Sequence, residues 1–149
     1  MEAKNIMFDQ STHMQTVKIL ENSLDTATLR QKVIADNIAN VNTPGFKKSY
    51  VSFEDELALA LQKKETSNFK ARTTDPKHIQ FYKPPKHPTA VRPRMFVEDD
   101  TTFRNDLNNV DINAEMANLA KNSIMYEAVV NRISGMFQML DMVIRGGTR

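Results

Sequence analysis

The 149-residue chain has no cysteine and no tryptophan, and only four glycines. Without cysteine there is no disulfide framework, no thiolate nucleophile and no cysteine to complete a zinc set. The four glycines are isolated or terminal, so no glycine-rich phosphate-binding loop can form. His13, His78 and His87 share no metal-ligand spacing. No stretch approaches the ~18 apolar residues that a membrane span requires, so direct membrane insertion is not expected. Residues 1–10 contain Glu2 and Asp9 and no sustained apolar run, so no cleavable leader is expected either. The acidic clusters Glu54-Asp55-Glu56 and Glu98-Asp99-Asp100 lack a partnered base or nucleophile and read as solvated faces. No enzyme, cofactor or metal site is expected.

Two runs of seven-residue periodicity stand out against this background. Near the N-terminus, Val17, Leu20, Leu24, Ala27, Ile34, Ile38 and Val41 recur at steps of three and four, with Gln31 completing the repeat. Near the C-terminus, Met116, Leu119, Tyr126, Val130, Ile133, Phe137, Leu140 and Ile144 do the same, with Ser123 filling the gap. Alternating steps of three and four average 3.5 residues, which keeps a narrow apolar seam facing a partner helix. The fold expected is mainly α. Long N- and C-terminal helices pair as an antiparallel coiled coil around a small, irregular, β-containing middle segment. Residues 1–41 and 111–149 then form one discontinuous domain, and 42–110 the middle.

Local signals set the boundaries. Ser11 or Thr12 can cap the first helix, and Asn42-Thr43-Pro44-Gly45 stops it after about Val41. Phe53, Leu57 and Leu61 stand four apart with acids between them, the pattern of a short amphipathic helix. Phe69–Thr74, His78–Tyr82 and Arg94–Val97 are β-branched or aromatic enough for strands, and the prolines from Pro84 to Pro93 favour extended backbone. Asp111 or Asn113 caps the last helix, which runs to about Arg145 before Gly146-Gly147. That helix carries more apolar surface than one seam needs: Met125, Val129, Met136, Met139, Met142 and Val143 lie off the heptad positions. Such surplus marks either an interaction surface or a wider buried face.

Charge is uneven. Residues 42–97 carry eleven basic and five acidic groups, whereas 98–110 carry one basic and four acidic. A basic middle with interleaved Phe69, Phe81, Tyr82 and Phe96 keeps open a single-strand nucleic-acid binder. The heptads alone keep open a soluble coiled-coil adaptor.

The segment Asn37-Ile38-Ala39-Asn40-Val41-Asn42-Thr43-Pro44-Gly45-Phe46 resembles the N-terminal signature of bacterial flagellar rod and hook proteins. Asp75-Pro76-Lys77-His78-Ile79, Asn109-Val110-Asp111-Ile112-Asn113-Ala114-Glu115-Met116 and Ile144-Arg145-Gly146-Gly147 extend the resemblance, which points most closely to a proximal-rod subunit. Such proteins often have Asp-Gly-Asn before the Asn-Val-Asp stretch. Here Asp106 is followed by Leu107, and because leucine does not readily take a positive φ, the turn is expected to be built differently. The resemblance implies a structural subunit that polymerises helically with itself and other flagellar rod subunits. It implies contact with membrane-ring and rod-adaptor proteins and no nucleic-acid partner. It implies export unfolded through the type III export gate, without signal cleavage, to a rod in the periplasm. It also offers Phe53 and Leu57 as a candidate export motif, although i,i+4 packing in a helix explains the same pair.

Overall fold

The computed structural model describes residues 12–62, 87–99 and 105–146. Helix α1 spans Thr12–Ala39. Strand β1 (Ser49–Ser52) and helix α2 (Glu54–Leu61) follow. A 3-10 turn at Pro88–Ala90 leads into β2 (Arg94–Val97), and helix α3 covers Ile112–Ile144. The strands expected at Phe69–Thr74 and His78–Tyr82 lie outside the described residues.

Each helix end has a local cause. At the exit of α1 the backbone tightens: Asn40 N–H is shared between the carbonyls of Asp36 and Asn37, and Val41 and Thr43 bond three residues back. Gly45 then takes φ +72° and turns the chain, donating its N–H to the Asp106 carbonyl at 2.8 Å. The helix therefore stops two residues before Val41. Helix α2 has no side-chain cap; three acids in its first turn, Glu54, Asp55 and Glu56, complement its dipole instead. Asp111 caps α3, its carboxylate accepting from Asn113 N–H at 2.9 Å and Ala114 N–H at 3.4 Å. Gly146, at φ +80°, closes its far end.

Helices α1 and α3 pack together and run in opposite directions. Asn37, near the end of α1, donates to Glu115 at the start of α3, and Asn122, about two turns further along α3, donates to the carbonyl of Ala27, nearly three turns back along α1. Strands β1 and β2 pair antiparallel, with Ser49 opposite Val97 and Ser52 opposite Arg94. The strand at Ser49–Ser52 was not expected from the sequence. Val51 and Phe53, buried against α1, and Val91 and Val110 complete a small apolar interior with Ala27, Val33 and Ile34.

Buried polar groups are as prominent as apolar ones. Asn22, Thr26, Asn37, Asn108, Asn109, Glu115 and Asn122 are all buried. Most are matched to backbone. Asn22 donates to the carbonyls of Thr89 and Val91 and accepts from Arg92, fixing the 87–93 segment against α1. Asn108 donates to the carbonyls of Asn40, Val41 and Thr43, receiving the carbonyls left open where α1 ends. Asn109 joins Lys48 N–H to the Glu98 carbonyl, closing the end of the two-stranded ladder. Bonds from buried amide side chains to backbone thus hold the middle segment to the helices.

The turn before Asn108 corrects the expectation for Leu107. Leucine occupies the left-handed region after all, at φ 66°. Its neighbours over-determine it. Asp106 gives its carbonyl to Gly45 and its carboxylate to Asn108 N–H, and Asn108 Oδ1 takes Val110 N–H at 2.7 Å.

Candidate assembly surface

On α1, Ala27 and Ile34 are buried, and Val17, Leu20, Leu24, Ile38 and Val41 are half-buried. On α3, Leu119, Val130 and Ile133 are half-buried. Met116, Tyr126, Phe137, Leu140 and Ile144 are exposed, Ile144 at 82%. The most covered positions of α3 are Glu115, Leu119, Asn122, Val129, Val130, Ile133 and Met136. That line is broken between Asn122 and Val129, where Tyr126 is exposed, and it shares Leu119, Val130 and Ile133 with the apolar repeat. Two of its first three positions, Glu115 and Asn122, are polar and fall outside a pattern of apolar positions.

The exposed remainder of α3 is a broad apolar surface. Ile124, Met139, Met142 and Val143 are exposed there along with the seam residues just named. Gly135 lies within this surface, and nothing described comes within 4 Å of where its Cβ would stand. Exposed apolar residues in this number often mark an interaction site, and methionine side chains adapt to differing partners.

The signature residues sit where the helix pair meets the small sheet. Asn37 is buried, Ile38, Asn40 and Phe46 are half-buried, and Ala39, Thr43, Pro44 and Gly45 are exposed. Asn37 spans the backbone of Ser49 and reaches Glu115 at 3.1 Å. Asn40 bonds back to the Asp36 carbonyl and accepts from the Thr43 hydroxyl at 3.2 Å. Phe53 is 3% exposed and Leu57 half-buried; both border a small gap shared with Thr26, Ala27 and Val129. Arg30 forks onto both carboxylate oxygens of Glu54, at 2.9 and 2.8 Å, holding α2 to α1.

A cleft of about 360 Å³ opens between α1, β1 and α3, lined by Arg30, Tyr50, Glu54, Glu115, Lys121 and Asn122 among others. Its charges are mixed and include no nucleophile beside a base. The Asn122 side-chain oxygen is buried without a hydrogen-bond partner among the described residues. Asn22, Asn108, Asn109, Glu115 and Asn122 were not singled out as contact residues from the sequence. Their signal, polar residues inside or beside the apolar repeat, is visible only once the helices are paired.

Residues 19–47, which run through α1 and the turn after it, match the family described as flagella basal body rod protein. Over 132 residues the chain is 39% identical to the flagellar basal body rod protein FlgB of Bacillus subtilis, covering 89% of this chain and 95% of that protein. It is 36% identical to FlgB of Borreliella burgdorferi over 82% of this chain and 90% of that protein. FlgB of Escherichia coli is 29% identical over 88% of this chain and 94% of its own length. The chain belongs to the FlgB family of flagellar basal body rod proteins.

Proposed function

We propose that the protein is a structural subunit of the flagellar basal body rod and acts by assembly, not catalysis. The observation that carries this reading beyond family membership is the exposed apolar surface of α3, too large to be satisfied by α1 alone. In this reading the rod is the proximal one. Residues 1–41 and 111–149 form an antiparallel coiled-coil domain, and 42–110 an outer middle segment. Copies stack helically through the seam from Val17 to Val41 and from Met116 to Ile144. The finished polymer links the membrane ring and its adaptor to the remaining rod subunits in the periplasm, after export without a cleaved leader.

The antiparallel run of α1 and α3 supports the coiled-coil part of this reading, as do Leu119, Val130 and Ile133, repeat positions of α3 that are half-buried. The relatives lend nothing to a soluble adaptor or a nucleic-acid binder. A cryo-EM map of isolated basal bodies tests the proposal. Density for this chain in the rod, with α1 and α3 innermost, is the expected result. A complete rod without this chain overturns it.

A further inference from the structure

The two edges of the small sheet are treated differently. Glu98 N–H bonds the Lys48 carbonyl at 3.0 Å, so residues 48 and 98 face each other as a hydrogen-bonded pair. Alternation along the ladder then turns the backbone groups of Ser49 and Val51 outward on β1, and those of Met95 and Val97 outward on β2. The β1 edge is covered by α1. Asn37 takes both groups of Ser49, and Arg30 reaches the Val51 carbonyl at 3.4 Å. Among the described residues the β2 edge has no such cover. Among the described residues no strand pairs with it, and Met95 and Val97 make no outward hydrogen bond. Met95, Phe96 and Val97 are also 58%, 41% and 53% exposed. An exposed apolar edge of this kind is a template for another strand.

We infer that the occupant is the same edge of a second copy, paired antiparallel and centred on Phe96. The strand is self-complementary about that residue: Arg94 precedes it by two positions and Glu98 follows by two. Antiparallel pairing about Phe96 sets Met95 opposite Val97 of the second copy, and Val97 opposite its Met95. These are the positions whose N–H and C=O groups point outward, so four backbone hydrogen bonds form. Arg94 faces Glu98 of the second copy twice over, at non-hydrogen-bonded positions where side chains lie nearest.

Arg94 also lies 3.6 Å from Glu56, and Glu98 3.1 Å from Lys48, so the new contacts join existing ion pairs. Tyr50 already stacks on Phe96 with ring centroids 5.6 Å apart. Pairing extends this stack into a row of four rings. The result is a four-stranded sheet with the order β1-β2-β2-β1. Such an isologous contact closes on itself, unlike the head-to-tail contacts of a helical polymer, and it stands independently of the rod reading.

The test uses the full chain, whose lack of native cysteine leaves an introduced one unambiguous. Phe96→Cys places the new thiol opposite itself, with Cα atoms ~4.5 Å apart, inside the ~4.4–6.8 Å range of a disulfide. Mild oxidation at micromolar concentration is expected to give a covalent dimer. Met95→Cys, displaced two positions along the pairing, is expected to give none. Equal linking at both positions, or none at Phe96→Cys, overturns the proposal, including the case in which another rod protein supplies the strand. Sedimentation of charge variants reads the same register. Arg94→Glu and Glu98→Arg alone each weaken the dimer roughly tenfold, as two symmetric cross-strand pairs become repulsive. The double variant restores it. Because the double variant worsens the contacts with Glu56 and Lys48, failure to rescue means that those internal pairs alone are at work, and the proposal falls.

Discussion

The Asn37 side chain lies along the backbone of Ser49 as a neighbouring strand would, accepting its N–H at 3.0 Å and donating to its carbonyl at 2.8 Å. Its second N–H reaches the buried Glu115 carboxylate at 3.1 Å. One amide thus joins α1, β1 and α3. Asn37→Leu has similar size but leaves the two half-buried Ser49 backbone groups and the buried Glu115 carboxylate without that partner, and is expected to cost about 2–4 kcal/mol. Urea unfolding followed by circular dichroism measures it. A midpoint within error of the unsubstituted protein would show that the clasp is dispensable.

Leu107 offers the opposite case. Its φ of 66° costs about 1–2 kcal/mol for a residue with a Cβ, and at 60% exposure its side chain returns little by packing. Glycine relieves the strain and loses part of the gain to its freer unfolded state, about 0.5–1 kcal/mol. Leu107→Gly is therefore expected to stabilise the chain by about 0.5–1 kcal/mol. Thermal unfolding checks the sign, and a lower midpoint would mean that the leucine side chain contributes more than its exposure implies.

What the sequence disclosed was whatever a single segment specifies by itself. The three-and-four repeat, the Asp111 cap and the terminal glycine placed α1 and α3 to within a few residues, and composition located β2. Strand β1 was not visible because Ser-Tyr-Val-Ser becomes a strand through Asn37 and β2, partners 12 and more residues away. The covered line of α3 was half visible for a related reason. Periodicity is legible in apolar residues, while Glu115 and Asn122 are buried by hydrogen bonds to α1. Leu107 departs from its intrinsic preference because an amide network that reaches Asn40 and Gly45 holds the turn.

Asn122 donates to the Ala27 carbonyl at 2.9 Å, yet its own oxygen has no partner among the described residues. A buried asparagine in a helix seam fixes register at a cost in stability. Asn122→Leu removes the unpaired oxygen and adds apolar contact, and is expected to raise the unfolding free energy by about 1 kcal/mol. The same variant is expected to relax the register between α1 and α3. Double electron–electron resonance between spin labels on the two helices would show this as a broadened distance distribution. A less stable variant with one sharp distance would contradict both parts.

Assembly depends on the seam in the reading proposed above. Leu24 and Ile133 are both half-buried, one on each helix. A carboxylate at either site has no partner and must stay in water, which prises the helices apart. Leu24→Asp and Ile133→Asp are each expected to abolish rod formation and motility while the protein is still made. Swimming halos and electron microscopy of basal bodies provide the measure. Normal motility in both variants would remove the coiled-coil reading.

Phe53 and Leu57 separate export from packing. Phe53 is 3% exposed in the folded chain, so any receptor that reads it must meet the chain before folding. Phe53→Ala empties a buried site and is expected to cost about 3–5 kcal/mol. A chain that travels unfolded is not hindered in transit by that loss of stability. If the pair is an export signal, Phe53→Ala with Leu57→Ala strands the protein in the cytoplasm. If it is only packing, the double variant reaches the periplasm at normal levels and fails there, unfolded and unassembled. Fractionation followed by immunoblotting distinguishes the two. Replacing Phe53 with leucine sharpens the test: it restores much of the buried volume while removing the aromatic ring. Export that stays blocked in a chain whose stability has recovered assigns the residue to recognition. Export and assembly recovering together assign it to the fold.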